Sequence, residues 1–134
     1  MTDEPARTSR QYNLISATLA FVVWGGWAWY VNQLRDAPEA LSPIGSGLIQ
    51  GTASCLVTLF MLRSVTTLFH LFAPHPARFF LPAVLTTGLT GSCISMAHVF
   101  AGTANVAGTV IPGIVVALCF NTLTCWKLHQ QTAA

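Results

Sequence analysis

Four long apolar segments, almost free of charge, dominate this sequence. They cover residues 14–31, 43–62, 79–100 and 106–126. A helix needs about 20 mostly apolar residues to cross the hydrocarbon core of a bilayer, and each segment is close to that length. None shows the alternation of apolar and polar residues that is typical of barrel strands. The sequence therefore predicts an all-α membrane protein with four transmembrane helices.

The charge content points the same way. Charged residues make up 7% of the chain, whereas an ordinary soluble domain has about 25%. So few charges could not cover the surface of a water-soluble fold, but a surface that faces lipid must be apolar. The net charge of +2 and the lack of any Lys/Arg run argue against a nucleic-acid-binding stripe. We expect the lipid bilayer as a partner, and no nucleic acid.

Short connections between the apolar segments predict two antiparallel hairpins. The residues NQLRDAPEAL join the first two segments, and AGTAN joins the last two. Arg35 alone falls at the end of the bundle that carries these two connections. The other end carries Arg7, Arg10, Arg63, Arg78 and Lys127. The positive-inside rule then places both termini in the cytoplasm, and the compact loops favour a bacterial inner membrane.

Polar stretches flank the apolar segments. Residues 1–13 form a polar N-terminal segment that does not resemble a cleavable signal peptide, and residues 127–134 form a C-terminal tail. After the second segment, apolar residues continue at helical spacing until a pair of prolines, Pro74 and Pro76. We expect an interfacial helical extension over about residues 63–73.

Aromatic residues are concentrated in VVWGGWAWYV, residues 22–31. Trp27, Trp29 and Tyr30 fit an anchor at the outer interface, where an apolar ring and a wet N–H or O–H are both accommodated. Trp24 lies a turn deeper, on the face that Trp27 shares. A stacking surface for a lipid headgroup, a sugar or an organic cation is the alternative interpretation. Trp24, Trp27 and Tyr30 are therefore candidate ligand or lipid contacts.

Small residues recur at four-residue spacing in the last three segments. Such residues allow helices to approach closely in lipid, where burial alone gives no driving force. The candidate helix-packing residues are Gly47, Gly51, Gly88, Gly91, Ser95, Gly108 and Gly113. The sequence leaves open whether these stripes act within one bundle, between copies or against another subunit. Pro112 removes the N–H that would bond the Gly108 carbonyl, which makes it a candidate hinge.

No acidic residue falls within the apolar segments, because all four are outside them: Asp3, Glu4, Asp36 and Glu39. Proton- or cation-coupled transporters generally keep an ionisable group at membrane depth, so such coupling is disfavoured. His98 and Asn121 are the candidate polar contacts within the segments. A copper site at His98 is disfavoured because Cys93, five residues away, points elsewhere. We find no metal-binding, cofactor or catalytic motif, and expect no metal, no cofactor and no enzymatic activity.

Three functional hypotheses remain. The first is a non-enzymatic accessory or assembly subunit that packs against a larger membrane complex or against itself, as small size and abundant packing stripes favour. The second is a homo-oligomeric small channel or transporter, which the proline break and a weak similarity between the two hairpins favour. The third is lipid or quinone binding at the outer interface by Trp24, Trp27 and Tyr30.

Overall fold

The structure is a computed structural model that describes residues 4–73 and 75–133. It contains four long helices: α1 (Glu4–Gln33), α2 (Pro43–Leu71), α3 (Leu81–Phe100) and α4 (Val106–Ala133). A short 3₁₀ helix, Pro76–Phe79, precedes α3, and there is no strand among the described residues. All four long helices are apolar and long enough to cross a membrane. The predicted all-α architecture with four such helices is confirmed.

Three helices extend beyond the predicted apolar segments. Helix α1 begins at Glu4 instead of residue 14, because Pro5 is tolerated in a first turn and the polar residues after it contain no helix breaker. Helix α2 begins after its N-cap, Ser42, whose Oγ accepts from the Gly45 amide at 3.1 Å, and continues through Arg63 to Leu71. Helix α4 continues past residue 126 to Ala133.

Glycines bring the backbones of α1 and α2 into contact. A Cβ atom on Gly25 would lie 2.9 Å from the Gly47 carbonyl oxygen, and a Cβ on Gly47 would lie 2.9 Å from the Gly25 oxygen. A Cβ on Gly51 would meet the ring and the carbonyl oxygen of Phe21 at 3.0–3.1 Å. These separations leave no room for a side chain, so α1 and α2 approach as closely as only glycine permits.

Apolar side chains fill the end of the bundle that carries the chain termini. Val65 and Phe69 of α2 are buried with Ala83 of α3 and Cys125 of α4. The Arg78 guanidinium lies 5.4 Å from the centre of the Phe69 ring, within the range of a cation–π interaction. The residues after Arg63 therefore continue helix α2, and Val65 and Phe69 among them pack inside the bundle.

Candidate functional site

The two short connections meet at one end of the bundle, which we call the loop end. The Leu41 amide donates to the Gly102 carbonyl oxygen at 2.9 Å, which joins the α1–α2 connection to the α3–α4 connection. Gly102 adopts a φ of +73°, a left-handed conformation that glycine reaches without steric cost. Beneath this contact, two clusters of buried polar side chains link the helices.

The first cluster is organised by Asn32, near the end of α1. Its side chain is 2% exposed, and its Oδ1 accepts from the Asn105 amide at 2.9 Å. Its Nδ2 donates to Thr109 Oγ1 and to the Ala28 carbonyl oxygen, both at 2.8 Å. Asn105 in turn caps α4, because its Oδ1 accepts from the Gly108 amide at 3.1 Å. One buried amide of α1 thus holds the beginning of α4.

Trp27 makes the second link between α1 and α4. Its Nε1 donates to the Gly108 carbonyl oxygen at 2.9 Å. This is the carbonyl that Pro112, which lies inside α4, leaves without a helical donor. The indole N–H of Trp27 therefore replaces the backbone donor that the proline removes. Tyr30 is its aromatic neighbour, with the ring centroids 6.3 Å apart.

The second polar cluster surrounds His98 of α3, whose side chain is fully buried. Its Nε2 lies 2.8 Å from Gln50 Oε1 of α2, and its Nδ1 lies 2.8 Å from Thr103 Oγ1. An amide oxygen can only accept, so Nε2 carries the proton and Nδ1 accepts from the Thr103 hydroxyl. Both ring nitrogens are engaged, and His98 joins α2 to the connection that follows α3.

A cavity of about 300 Å³ lies next to this cluster, between the four helices. From Gln50 it follows α2 as far as Leu62, about 18 Å at 1.5 Å per residue. Gln50, Ser54 and Thr58 recur every four residues and form a polar row along one side. The rest of the lining is mostly apolar and includes Trp24, Val57, Met61, Ile94, Val110 and Ile114.

The cavity opens to the surface where α1, α2 and α4 line it. Five of its lining residues are exposed: Tyr12 and Asn13 of α1, Leu62 of α2, and Val116 and Phe120 of α4. Val116 and Phe120 lie well inside the apolar length of α4. A side chain that both lines a cavity and faces outward marks its mouth. At Val116 and Phe120 the mouth is therefore at a depth where a membrane-spanning bundle would meet lipid, and at Tyr12, Asn13 and Leu62 it extends toward the end of the bundle where α1 begins.

The structure distributes the candidate contact residues among different environments. Trp24 lines the cavity, whereas Trp27 is bonded to α4 and Tyr30 is half exposed. Asn121 does not line the cavity; its Nδ2 donates to Thr87 Oγ1 of α3 at 2.9 Å. His98 also lies outside the lining, behind Gln50. The five candidates do not form one site.

The candidate packing residues also differ in what they face. Gly47 and Gly51 face α1, and a Cβ on Gly91 would meet Ile114 Cδ1 of α4 at 2.9 Å. Gly113 lines the cavity beside Gln50 and Trp24. A Cβ on Gly108 would meet the Asn105 side chain, its own helix cap. Ser95 is half-buried, and Gly88 faces outward, with no atom within 4 Å of the point where its Cβ would lie.

Several residues that organise the site carry weak sequence signals. Asn105 immediately precedes the fourth apolar segment, which is the position of an N-cap and could have been recognised. Asn32 immediately follows the first segment and has no signature, because its partners on the α4 side lie more than 70 residues away in the chain. Thr103, the partner of His98, also has no signature, because it is one of several polar residues in a short connection.

These features define a class of protein. The chain is a small all-helical protein with four helices that are long and apolar enough to span a membrane, a polar loop end and a lateral cavity. Comparison with protein-family models, with curated proteins and with solved structures gave no match. The function is therefore argued from the geometry of the chain itself.

Proposed function

We propose that this chain is a non-enzymatic accessory or assembly subunit of a membrane complex. In this proposal its four helices form two antiparallel transmembrane hairpins, with both termini in the cytoplasm of a bacterium and the bundle in the inner membrane. The supporting observation is a small-residue face of α3 that no other part of the described chain covers. That face contains Gly88 and Ser92, one helical turn apart and both exposed.

Elsewhere in the bundle, glycines are found at close helix contacts. Gly25, Gly47 and Gly51 each lie at a helix contact that a Cβ would disturb. Gly88 is also in the middle of a long apolar helix, yet nothing lies within 4 Å of the position its Cβ would take. Glycine lowers helix stability by about 1 kcal/mol relative to alanine in water, so a glycine facing lipid gives no benefit to the isolated chain. A helix of another subunit, or of a second copy, would use this face.

The environment of His98 supports a structural role over a catalytic one. It is the most deeply buried ionisable side chain at the loop end, and both of its ring nitrogens already have partners, Gln50 and Thr103. A general acid or base needs a ring nitrogen free to reach a substrate. The histidine therefore serves the bundle as a cross-link between α2 and α3.

The proposed orientation has its own test. Arg63, Arg78 and Lys127 are at or beyond the terminal end of the apolar core, whereas Arg35 is at the loop end. A reporter that is active only in the cytoplasm should work when fused after residue 134, and one that is active only outside should work when inserted between Arg35 and Glu39. The reverse pattern would contradict the proposed orientation.

Association can be tested by native mass spectrometry after gentle extraction from the native membrane. Gly88→Leu should remove the partner or the second copy from the assembly, because a leucine would hold the facing helix away. Gly26→Leu is the matched control: Gly26 is also exposed with nothing within 4 Å, but its neighbours one turn away on α1 are the large, exposed Val22 and Tyr30, so it is not part of a small-residue face. An interface at the α3 face would be contradicted if both variants lost the assembly equally, or if both kept it.

The cavity favours a second candidate function, a homo-oligomeric small channel or transporter. Its polar row, Gln50, Ser54 and Thr58, could accompany a solute through an otherwise apolar bundle. In this function Pro112→Ala should change the flux of solute through reconstituted vesicles, because a backbone donor for Gly108 would be restored. Vesicles that pass no ions, small neutral solutes or lipids above the empty-vesicle rate would eliminate this candidate.

A further inference from the structure

We propose that the cavity binds a neutral, membrane-soluble amphiphile that carries a carbonyl oxygen, such as a quinone or a glyceride ester. The molecule would enter from lipid at the part of the mouth that α4 lines and place its oxygen against Gln50 and Ser54. This goes beyond a role in assembly and concerns a different surface from the α3 face. It also differs from ligand binding at the outer interface, because of the aromatic residues suggested by the sequence only Trp24 lines the cavity.

The size and composition of the cavity suit one small apolar molecule with few polar contacts. Ligand sites commonly begin at about 300 Å³ and are mostly apolar with a small number of placed polar groups. The volume of about 300 Å³ matches the lower end of that range, and it corresponds to about ten groups of the size of a water molecule. A ring or a short segment of acyl chain therefore fits, while a whole phospholipid does not.

Several hydrogen-bond donors that line the cavity have hydrogens left unpaired among the described residues. Gln50 Nε2 has two hydrogens, and its one contact is a long one of 3.4 Å to Ser54 Oγ. Thr87 Oγ1 accepts from Asn121, and among the described residues neither the Ser54 nor the Thr87 hydroxyl has an acceptor for its own proton. A buried donor without an acceptor is costly, so an acceptor oxygen in the cavity would be stabilised by these groups.

The orientation of Gln50 is fixed by His98. Gln50 is 2% exposed, and its Oε1 is held at 2.8 Å by the His98 Nε2–H. The amide nitrogen is then directed away from His98 and toward Gly113, where a Cβ would lie 3.7 Å from Nε2. A donor that is already oriented loses little conformational entropy when it binds. This end of the cavity therefore favours a ligand with an acceptor oxygen over one without.

The lining disfavours charged ligands, and the mouth admits a ligand from lipid. None of the residues that line the cavity is Asp, Glu, Lys, Arg or His, so an ionised headgroup would have no counter-charge. The part of the mouth at Val116 and Phe120 lies along the apolar length of α4, where it is open to a molecule dissolved in lipid. A neutral amphiphile partitions into lipid and meets both conditions.

Binding can be measured with decylubiquinone, using the intact chain in lipid nanodiscs. Trp24 lines the cavity, so a quinone bound there should quench tryptophan emission with a saturable dependence on concentration. Dioctanoylglycerol, which carries ester carbonyls, is the second probe and is added as a competitor. Decylbenzene, which has a ring and a chain but no acceptor oxygen, is the third. If dioctanoylglycerol competes with the quinone, the site accepts glyceride-type ligands. If it does not compete, the site is selective for quinone-type ligands. Both results support a site for a carbonyl oxygen.

Two matched pairs of variants locate the binding. Gly113→Leu places a side chain beside Gln50 and should raise the apparent dissociation constant for the quinone by at least about tenfold. Gly26→Leu changes a residue that faces outward and should leave this constant unchanged. Val116→Phe narrows the mouth and should also weaken binding. Val115→Phe is its control, because Val115 is equally exposed, at 54%, and does not line the cavity. The second pair acts at the surface, so it remains informative even if Gly113→Leu disturbs folding.

The proposal fails under three results. Quenching that rises linearly with quinone, without saturation, would show partition into lipid only. Equal binding by wild type and by both Gly113→Leu and Val116→Phe would show a site elsewhere. Competition by decylbenzene as strong as that by the carbonyl probes would show an apolar cavity without the hydrogen-bond selectivity assigned to Gln50 and Ser54. None of these results bears on association through Gly88, which is measured by a separate experiment.

Discussion

The indole Nε1 of Trp27 donates to the carbonyl oxygen of Gly108 at 2.9 Å, across the interface between α1 and α4. That carbonyl lies four residues before Pro112, which has no N–H to offer it. Two features that are unrelated in the sequence, an aromatic stretch and a proline break, thus form one contact. The bond gives the Gly108 carbonyl a donor in place of the missing N–H and at the same time fixes α1 against α4.

Trp27→Phe tests this contact directly. The change keeps a large aromatic ring and removes the N–H, so we expect the free energy of unfolding to fall by about 1–2 kcal/mol. The measurement is reversible unfolding by SDS in mixed micelles. Trp29→Phe is the control. The Trp29 atoms nearest to Gly47 are its Cβ and backbone nitrogen, and phenylalanine has both of these atoms. An equal loss in both variants would indicate a general effect of removing an indole.

The proline break supplies a rescue experiment. In a Pro112→Ala background, residue 112 has an N–H that can bond Gly108 as in an uninterrupted helix. Trp27→Phe should then cost less, and the double-mutant cycle should give a coupling of about 1 kcal/mol between the two positions. Costs that simply add would mean that Trp27 and Pro112 do not act on the same carbonyl.

Asn32 should be among the most sensitive positions at the loop end. Asn32→Leu removes the acceptor for the Asn105 amide and the donor to Thr109 within a buried site. We expect a loss of about 2–3 kcal/mol in the free energy of unfolding, together with faster hydrogen exchange of the Asn105 amide. Gln33→Leu changes the neighbouring exposed amide and should have little effect. A protected Asn105 amide in Asn32→Leu would contradict the hydrogen bond assigned between Asn32 and Asn105.

Two adjacent glycines should respond in opposite ways to a single methyl group. Gly25→Ala forces a Cβ to within 2.9 Å of the Gly47 carbonyl oxygen, so α1 and α2 must separate, at a cost of about 1–3 kcal/mol. Gly26→Ala meets nothing within 4 Å and should be neutral or stabilising by up to about 1 kcal/mol. Thermal unfolding in detergent compares the pair, and similar shifts would contradict the close α1–α2 approach.

Two adjacent threonines of α3 offer a parallel comparison. The Thr86 hydroxyl is buried without a hydrogen-bond partner among the described residues, so Thr86→Val should leave the free energy of unfolding unchanged or raise it by about 1 kcal/mol. The Thr87 hydroxyl accepts from Asn121 Nδ2 at 2.9 Å, so Thr87→Val should lower it by about 1–2 kcal/mol. The same unfolding assay measures both, and a destabilised Thr86→Val would reveal a partner for that hydroxyl.

The limits of sequence reasoning are visible in particular elements. The start of the second apolar segment is predictable, because Ser42 and Pro43 mark a helix N-terminus, but its end is less so. Arg63 and the threonines after it suggest that the second segment continues as an interfacial extension over about residues 63–73, and α2 continues as one helix to Leu71. Val65 and Phe69 find apolar partners on α3 and α4, and those partners are distant in the sequence.

The number of helices, their approximate positions and the apolar exterior follow from the sequence without further information, because they depend on residues that are neighbours in the chain. The roles of the polar and small residues follow only from the packed bundle. Gly25 with Gly47, Asn32 with Asn105, Gln50 with His98 and Trp27 with Gly108 are all pairs of residues on different elements. In a low-dielectric interior a polar group needs a specific partner, and helix packing determines which one it meets.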